Sequence, residues 1–412
     1  MHAAGHTGPC HCAEVMFSML LDKFEPMSRV QAELAALGIK PFGAVTEQLL
    51  SATEGVVEGR RVILAGTNNY LGLSFDPRCI AAAQAAAARW GTGTTGSRMA
   101  NGTFAEHLAL EAELADLYRV PHAMVFTTGY AATQGMCATL AGPGDVILLD
   151  ADSHASIYGG AQLSGAEVIR FKHSDPADLE KRLRRLGERV ANTLIVVEGI
   201  YSMLGDTAPM REIAALKQEY GGLLLVDEAH SLGVLGDQGE GAAVAAGVGA
   251  AVDFFVGTFS KSLGATGGFC ASPHAELEAI RFSTRAYIFT ASASPSVVAS
   301  TRAALAIMRT EPGLRTRLWD NARQLYDGLK ALGFRVGPNP SPVVAVTLAD
   351  RDQAFAWWSR LLDAGVYVNM VVPPASPSGD SLLRCSISAA HSRAQIEQML
   401  AAFAALRTDA AG

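Results

Sequence analysis

A lysine flanked by hydroxyl and glycine residues is the feature with the clearest chemistry. Val252, Phe254, Phe255 and Val256 read as a short buried strand that ends in Gly257-Thr258-Phe259-Ser260-Lys261-Ser262-Leu263-Gly264. A lysine amine attacks carbonyls and forms Schiff bases, and lysine is rarely buried without such a task. The hydroxyls of Thr258 and Ser260 suit a phosphate, and the glycines let a flat ring approach the backbone. These eight residues alone fit a surface lysine in a Gly/Ser turn equally well. A second stretch decides the matter. The apolar run Leu223-Leu224-Leu225-Val226 ends in Asp227-Glu228-Ala229-His230-Ser231. Ligands of open α/β sheets bind at the carboxyl ends of strands. An aspartate there either caps a helix or keeps a pyridinium nitrogen protonated. With Lys261 downstream, the second role fits: Asp227 and Lys261 suit pyridoxal phosphate (PLP), and His230 suits the phenolic oxygen of its ring.

Other strand ends converge on the same chemistry. Thr127-Thr128-Gly129-Tyr130 opens a helix after Phe126, and helix N-termini bind phosphate. Tyr130 could also touch the ring. Asp152-Ser153-His154-Ala155-Ser156 follows Leu149, where His154 either stacks on the ring or is a core histidine bonded to backbone. After Val197 comes Glu198-Gly199-Ile200-Tyr201-Ser202-Met203, with Ser202 able to bond the ring and Glu198 able to be structural. Arg384, in a late strand, suits a substrate carboxylate through a bidentate fork; a surface ion pair is the plainer reading. The loop Gly91 to Gly102 lacks a Gly-Lys-Ser/Thr ending, which argues against a nucleotide P-loop.

The elements that must position these groups alternate strand and helix. Strands are expected at Met124–Phe126, Val146–Leu149, Val168–Phe171, Leu194–Val197, Leu223–Val226, Phe254–Val256 and Phe269–Ala271. Asp175-Pro176 starts a helix with Leu179, Leu183 and Leu186 on one face. Such alternation implies an α/β fold, with a large, mainly parallel sheet covered by helices. Beyond about Ser296 a long helical region leads to strands at Phe334–Val336, Val343–Leu348, Val366–Met370 and Leu382–Ser388, a smaller C-terminal α/β domain. The expected division is a tail and helical segment over 1–60, a cofactor domain over 61–296 and a C-terminal domain over 297–412. Met27, Val30, Leu34 and Leu37 form an N-terminal helical face that Gly38 can close.

The chain has 412 residues, 49% hydrophobic and 18% charged, enough for two cores and against disorder. A net charge of −7 gives no basic footprint for nucleic acid. No apolar run approaches a membrane span, and the first residues do not form a signal peptide. Cys79, Cys137, Cys270 and Cys385 are isolated, as in a reducing cytosol. His2, His6, Cys10, His11 and Cys12 are of metal-ligand type but lack a second paired set, so no metal site is expected and the tip reads as a flexible tail.

Together these motifs resemble the α-oxoamine synthase family of fold-type I PLP enzymes, from about Asp22 to Leu400. The resemblance rests on Asn69-Tyr70-Leu71-Gly72, Gly96-Ser97-Arg98, Asp152 to Ser156, Glu198 to Met203, Asp227 to Ser231 and Thr258 to Lys261. It implies that Lys261 holds PLP covalently and moves the Cα proton, with Asp227 at the pyridine nitrogen and His230 at the phenolic oxygen. His154 would stack on the ring, and Gly129, Tyr130, Ser202, Thr258 and Ser260 would line the cofactor. Thr290 and Ala291 would reach the phosphate of the other subunit in a homodimer. Asn69 and Arg384 would meet the substrate. The reaction implied is a decarboxylating condensation of an amino acid, L-serine in the branch matched most fully, with a long-chain acyl thioester carried on CoA or acyl-carrier protein. The product is a 3-keto sphingoid base, and the expected place of work is the cytoplasm, with peripheral attachment at the inner membrane open. The serine-using branch carries arginine before Pro373-Pro374-Ala375 and tyrosine at position 68. This chain has Val372 and Asn68. Those departures keep open the branches that use alanine with pimeloyl thioester or glycine with acetyl or succinyl thioester. An aminotransferase and a non-catalytic subunit are the rivals outside the reaction class.

Overall fold

A computed structural model describes residues 20–36, 38, 40–373, 376 and 379–408. The His/Cys tip therefore lies outside the described residues, as do Leu37, Pro374 and Ala375. The chain divides into two units, 1–45 and 46–412. In the first, a helix spans Glu25–Ala36, with an Arg29–Glu25 ion pair one turn apart at 2.8 Å. Of its expected apolar face, Leu34 is buried and Met27 is exposed.

The second unit opens with β1 (Thr46–Leu49), β2 (Glu54–Val57) and β3 (Arg60–Leu64). Then follow β4 (His122–Phe126), β5 (Val146–Asp150), β6 (Glu167–Phe171), β7 (Thr193–Glu198), β8 (Leu223–Asp227), β9 (Phe254–Thr258) and β10 (Gly268–Ser272). These seven form one sheet in the order β4-β10-β9-β8-β7-β5-β6. Only β10 runs against its neighbours in that sheet; the β6-β5-β7-β8-β9 run is parallel. The expected mainly parallel α/β sheet is thus present, with each expected strand in place.

Helices on both faces explain why β5 reads as an unbroken apolar run. Ile147 and Leu149 pack with Met136, Cys137, Ile157 and Ala161 on one face. Val146 and Leu148 join Leu179, Leu183 and Leu186 in the core on the other. Burying such a side chain contributes about 1.5–3 kcal/mol relative to leaving it exposed. The helix Pro176–Leu186 starts where expected: Asp175 caps it by accepting the Asp178 N–H at 3.0 Å. The last residues of β5, β7, β8 and β9 are Asp150, Glu198, Asp227 and Thr258, so one edge of the sheet collects the polar groups.

The remaining strands are β11 (Val343–Leu348), β12 (Val366–Tyr367), β13 (Asn369–Val371) and β14 (Ser381–Ser386). The single strand expected over Val366–Met370 is two. β12 lies parallel to β3, and β13 pairs antiparallel to β14 in the sheet β11-β14-β13. Buried Val368 is the crossing point between the two sheets. The strand expected at Phe334–Val336 is reduced to a bridge from Val336 to Val346, between Gly333 in the left-handed region and Gly337. The end of β14 is stitched to the segment after β3: Ser386 N–H donates to the Ala65 carbonyl at 2.6 Å, and Ala389 N–H to that of Tyr70 at 2.7 Å. Arg384 is thereby brought beside Asn68 and Tyr70.

Candidate active site

A cavity of about 280 Å³ opens at the carboxyl edge of the main sheet. Its walls include Gly129, Tyr130, His154, Asp227, His230, Thr258, Ser260 and Lys261, all singled out from the sequence. Thr133, Glu198 and Thr266 line it as well.

The helix Gly129–Leu140 begins against the end of β9. Thr128 caps it by accepting the Ala131 N–H at 3.0 Å. A Cβ on Gly129 would stand 2.5 Å from the Thr258 Cβ, so only glycine lets the helix N-terminus come this close. The Thr258 and Ser260 hydroxyls lie 2.8 Å apart beside it. Amide N–H groups at a helix start, with two hydroxyls, form a phosphate cradle.

Lys261 follows the same strand end. Burial lowers its amine pKa to about 8, although Asp227 and Glu198 pull it upward. Asp227 is buried, and its two oxygens are separately fixed. Oδ1 accepts the Ala229 N–H at 2.9 Å and Oδ2 the Thr133 hydroxyl at 2.9 Å. Glu198 ends the neighbouring strand in register with Asp227. Burial first, then the Asp227 charge, pushes its pKa well above the ordinary carboxylate range. Burial and a neighbouring carboxylate thus favour the protonated form of Glu198. Glu198 Oε1 accepts the backbone N–H of His154 at 2.5 Å.

His154 presents an exposed ring to the cavity, with the Tyr130 ring at 6.4 Å, centroid to centroid. Its Nδ1 accepts the Ser156 N–H at 3.2 Å, which leaves Nε2 as the protonated nitrogen. Burial, followed by the Lys261 and Arg384 charges, lowers the His230 pKa well below its ordinary value, so its ring is neutral. His230 Nδ1 lies 2.7 Å from the Tyr70 hydroxyl. The Tyr70 pKa is itself raised to about 12, chiefly by burial, so that group keeps its proton and can donate it to Nδ1.

Arg384 is buried at 6% exposure. One N–H reaches Asn68 Oδ1 at 3.2 Å, and its Nε is buried without a partner. An orphaned guanidinium donor of this kind fits a carboxylate ligand. Asn69 bonds within its own turn, donating to Ser74 Oγ at 2.7 Å, and is not among the cavity walls. Ser202 sits in the turn after β7, and Thr290 and Ala291 in the loop after the short helix Arg285–Ile288; none of the three lines the cavity. Sequence reasoning missed Thr133. Its signal is a hydroxyl on an otherwise apolar buried helix face with Ala132, Met136 and Cys137.

The residues fit PLP: an amine of lowered pKa, a doubly fixed carboxylate, an exposed imidazole face and a cradle closed to any side chain at Gly129. The chain belongs to the aminotransferase class I and II family, whose model matches residues 60–403. More particularly, it is 57% identical to a serine palmitoyltransferase of Caulobacter vibrioides, over 92% of this chain and 94% of that one. It is 50% identical to that of Sphingomonas paucimobilis, over 94% and 92%. The solved structure of SPT (serine palmitoyltransferase) with a PLP internal aldimine superposes with a TM-score of 0.92 at 49% identity, over 95% of this chain and 99% of that one. At 38% to 40% identity the relatives include 8-amino-7-oxononanoate synthases. The family resemblance read from the motifs is borne out.

Proposed function

We propose that the chain is a PLP-dependent acyltransferase that condenses L-serine with a long-chain acyl thioester, palmitoyl-CoA or a similar donor. Carbon dioxide is lost and a 3-keto sphingoid base is formed, the first step of sphingolipid synthesis. The observation that carries this reading is the joint placement of Lys261, Asp227, His154 and His230 around one cavity. The chain around them is 57% identical to a serine palmitoyltransferase over nearly its whole length.

Bound PLP supplies an electron sink for negative charge at the carbon next to the amino group. The chain's own residues do the rest. Lys261 would hold the cofactor through its amine and would take the Cα proton of the substrate; an amine lowered to about 8 is suited to both tasks. Asp227, fixed by Thr133 and the Ala229 amide, keeps the pyridine nitrogen protonated. Neutral His230, with Tyr70 at Nδ1, donates to the phenolic oxygen from Nε2. His154, on the cavity wall, would lay its ring against the cofactor and orient the amino acid. The first amides of the helix at Gly129 and Tyr130, with Thr258 and Ser260, hold the phosphate. Arg384 takes the substrate carboxylate.

Residues 61–296 carry the cofactor in this reading, and 297–412, with the strands before 65, carry the carboxylate arginine. The working form is a homodimer in which Thr290 and Ala291 reach the partner's phosphate site; the exposure of Ala291 and of Phe289 beside it supports this. The place of work in this reading is the cytoplasm, with peripheral attachment at the inner membrane left open. Four free, buried cysteines support a reducing compartment. Val372 and Asn68 favour a second reading, an alanine- or glycine-using synthase of the same reaction class. Product mass spectrometry with a panel of amino acids and acyl thioesters separates the two. The expected product is the 3-keto sphingoid base from serine and palmitoyl-CoA. A preference for alanine with pimeloyl-CoA, or a keto acid formed without CO2, would overturn the proposal.

A further inference from the structure

His173 follows β6 and has no task in the reaction above. Both of its ring nitrogens meet carboxylates. Nδ1 lies 2.8 Å from Asp150 Oδ1, and Nε2 lies 2.7 Å from Asp206 Oδ2. An ionised carboxylate only accepts, and a neutral imidazole has one N–H to give. Two contacts of this length therefore require a proton on each nitrogen, an imidazolium. Asp152 stands 3.9 Å from Nδ1. The Tyr201 ring meets the His173 ring at right angles, with centroids 4.5 Å apart. Burial lowers the His173 pKa, but Asp150 and Asp206 more than offset it and raise it to about 10.

What this cation joins is more telling than the contacts themselves. Asp150 ends β5, and its oxygens also accept the Asp152 N–H at 2.9 Å and the Ser174 N–H at 2.8 Å. It thereby sets the start of the short loop that presents His154 to the cavity. Asp206 closes the turn after β7. Its carbonyl accepts the Tyr201 N–H at 2.8 Å, Gly205 N–H donates to the Tyr201 carbonyl at 3.0 Å, and Ile200 bridges Thr207. Ser202 sits inside that turn. Asp206 Oδ1 is buried without a partner, so the compensation of this carboxylate comes through Oδ2 and His173. Removing one member of such a buried set leaves the other charges uncompensated.

We propose that His173 is a positioning residue: a half-buried cation that ties the His154 loop to the Ser202 turn and so presents His154 to the bound cofactor. The proposal rests on the PLP reading of the cavity. Visible circular dichroism of the holoenzyme, normalised to bound cofactor, tests it together with titration by L-serine. A wild-type protein without any cofactor band would sink the PLP reading itself, which is a separate failure. His173→Gln keeps a similar size and one donor but removes the charge. The band per bound cofactor should fall by about half or more, and apparent serine affinity by about tenfold, the equivalent of one charged contact. A variant that melts earlier but keeps both the band and the serine titration shows His173 to be merely structural and overturns the proposal. Asp206→Asn leaves the His173–Asp150 pair in place and serves where the glutamine variant does not fold. In it the alkaline midpoint at which the band declines should move down by about one pH unit or more, since one carboxylate no longer holds the proton. An unmoved midpoint with an unchanged band counts against the proposal equally.

Discussion

Replacing Arg384 with alanine should cost the amino-acid substrate far more than it costs the fold. The guanidinium is buried, it gives Asn68 one N–H at 3.2 Å, and its Nε has no acceptor. Truncation creates no orphan on Asn68, because Oδ1 still accepts the Ser386 hydroxyl at 3.0 Å. The loss therefore falls on whatever the arginine was holding. A hydrogen bond to a charged group contributes about 1.5–3 kcal/mol, and about 1.4 kcal/mol is tenfold, so binding should weaken roughly 10- to 150-fold. Val372 occupies the place where the serine-using branch has an arginine, so no second guanidinium comes from that position. The assay is the change in cofactor absorbance on titration with L-serine, alanine and glycine. All three share the carboxylate and should weaken together. Arg384→Lys should recover only part, since it restores the charge without the planar fork. If Arg384→Ala leaves all three affinities unchanged, Arg384 is structural and the account of carboxylate recognition fails. If wild type binds alanine or glycine far more tightly than serine, the serine assignment falls and the family assignment stands.

Borohydride reduction of the yellow holoenzyme should fix the cofactor on Lys261, and peptide mapping that finds label on another lysine refutes its role. In cofactor-free protein the folded Lys261 pKa of about 8 lies below the ordinary value of 10.5, so the folded state binds fewer protons between them and gains stability as pH rises through that window. Lys261→Met should therefore raise the melting temperature at pH 7, with a gain that shrinks toward pH 10; a constant difference contradicts the burial argument. Thr133→Val removes a donor from Asp227 and should weaken cofactor binding by about tenfold, read by equilibrium dialysis, whereas unchanged binding would mean that the Ala229 amide alone holds the carboxylate. Analytical ultracentrifugation at micromolar concentration should give a dimer, and a fully active monomer rules out the cross-subunit role of Thr290 and Ala291.

The chemistry legible in the sequence is the chemistry that sits next to a strand end. Lys261 follows β9 directly, Asp227 ends β8 with His230 three residues on, and His154 and Gly129 follow β5 and β4 after short turns. In each case the apolar run and the polar break are adjacent in the chain, so the period of the pattern marks both. The contacts that tune these groups are not local. Thr133 lies inside a helix and meets Asp227 only because that helix packs on the sheet. Glu198 is pushed toward its protonated form first by burial and then by Asp227 beside it, and both depend on β7 and β8 being neighbours inside the sheet. Asn68 and Arg384 come together through the stitching of β14 to the segment after β3.

Asn69 shows the converse. An amide in a Gly-rich turn has the right type for a substrate contact, yet in the structure it donates to Ser74 and closes its own loop. Residue type at a strand end names the reaction class, because bond making needs particular groups. The second partners Asn68, Tyr70 and Thr133 meet Arg384, His230 and Asp227 at places set by how the strands are ordered. The amino-acid preference is therefore best sought in the Asn68–Arg384 pair. Asn68→Tyr supplies the side chain of the serine-using branch while removing the acceptor that holds Arg384. If the serine titration tightens, Arg384 was being held back by Asn68; if it weakens, Asn68 is what aims the guanidinium at the carboxylate.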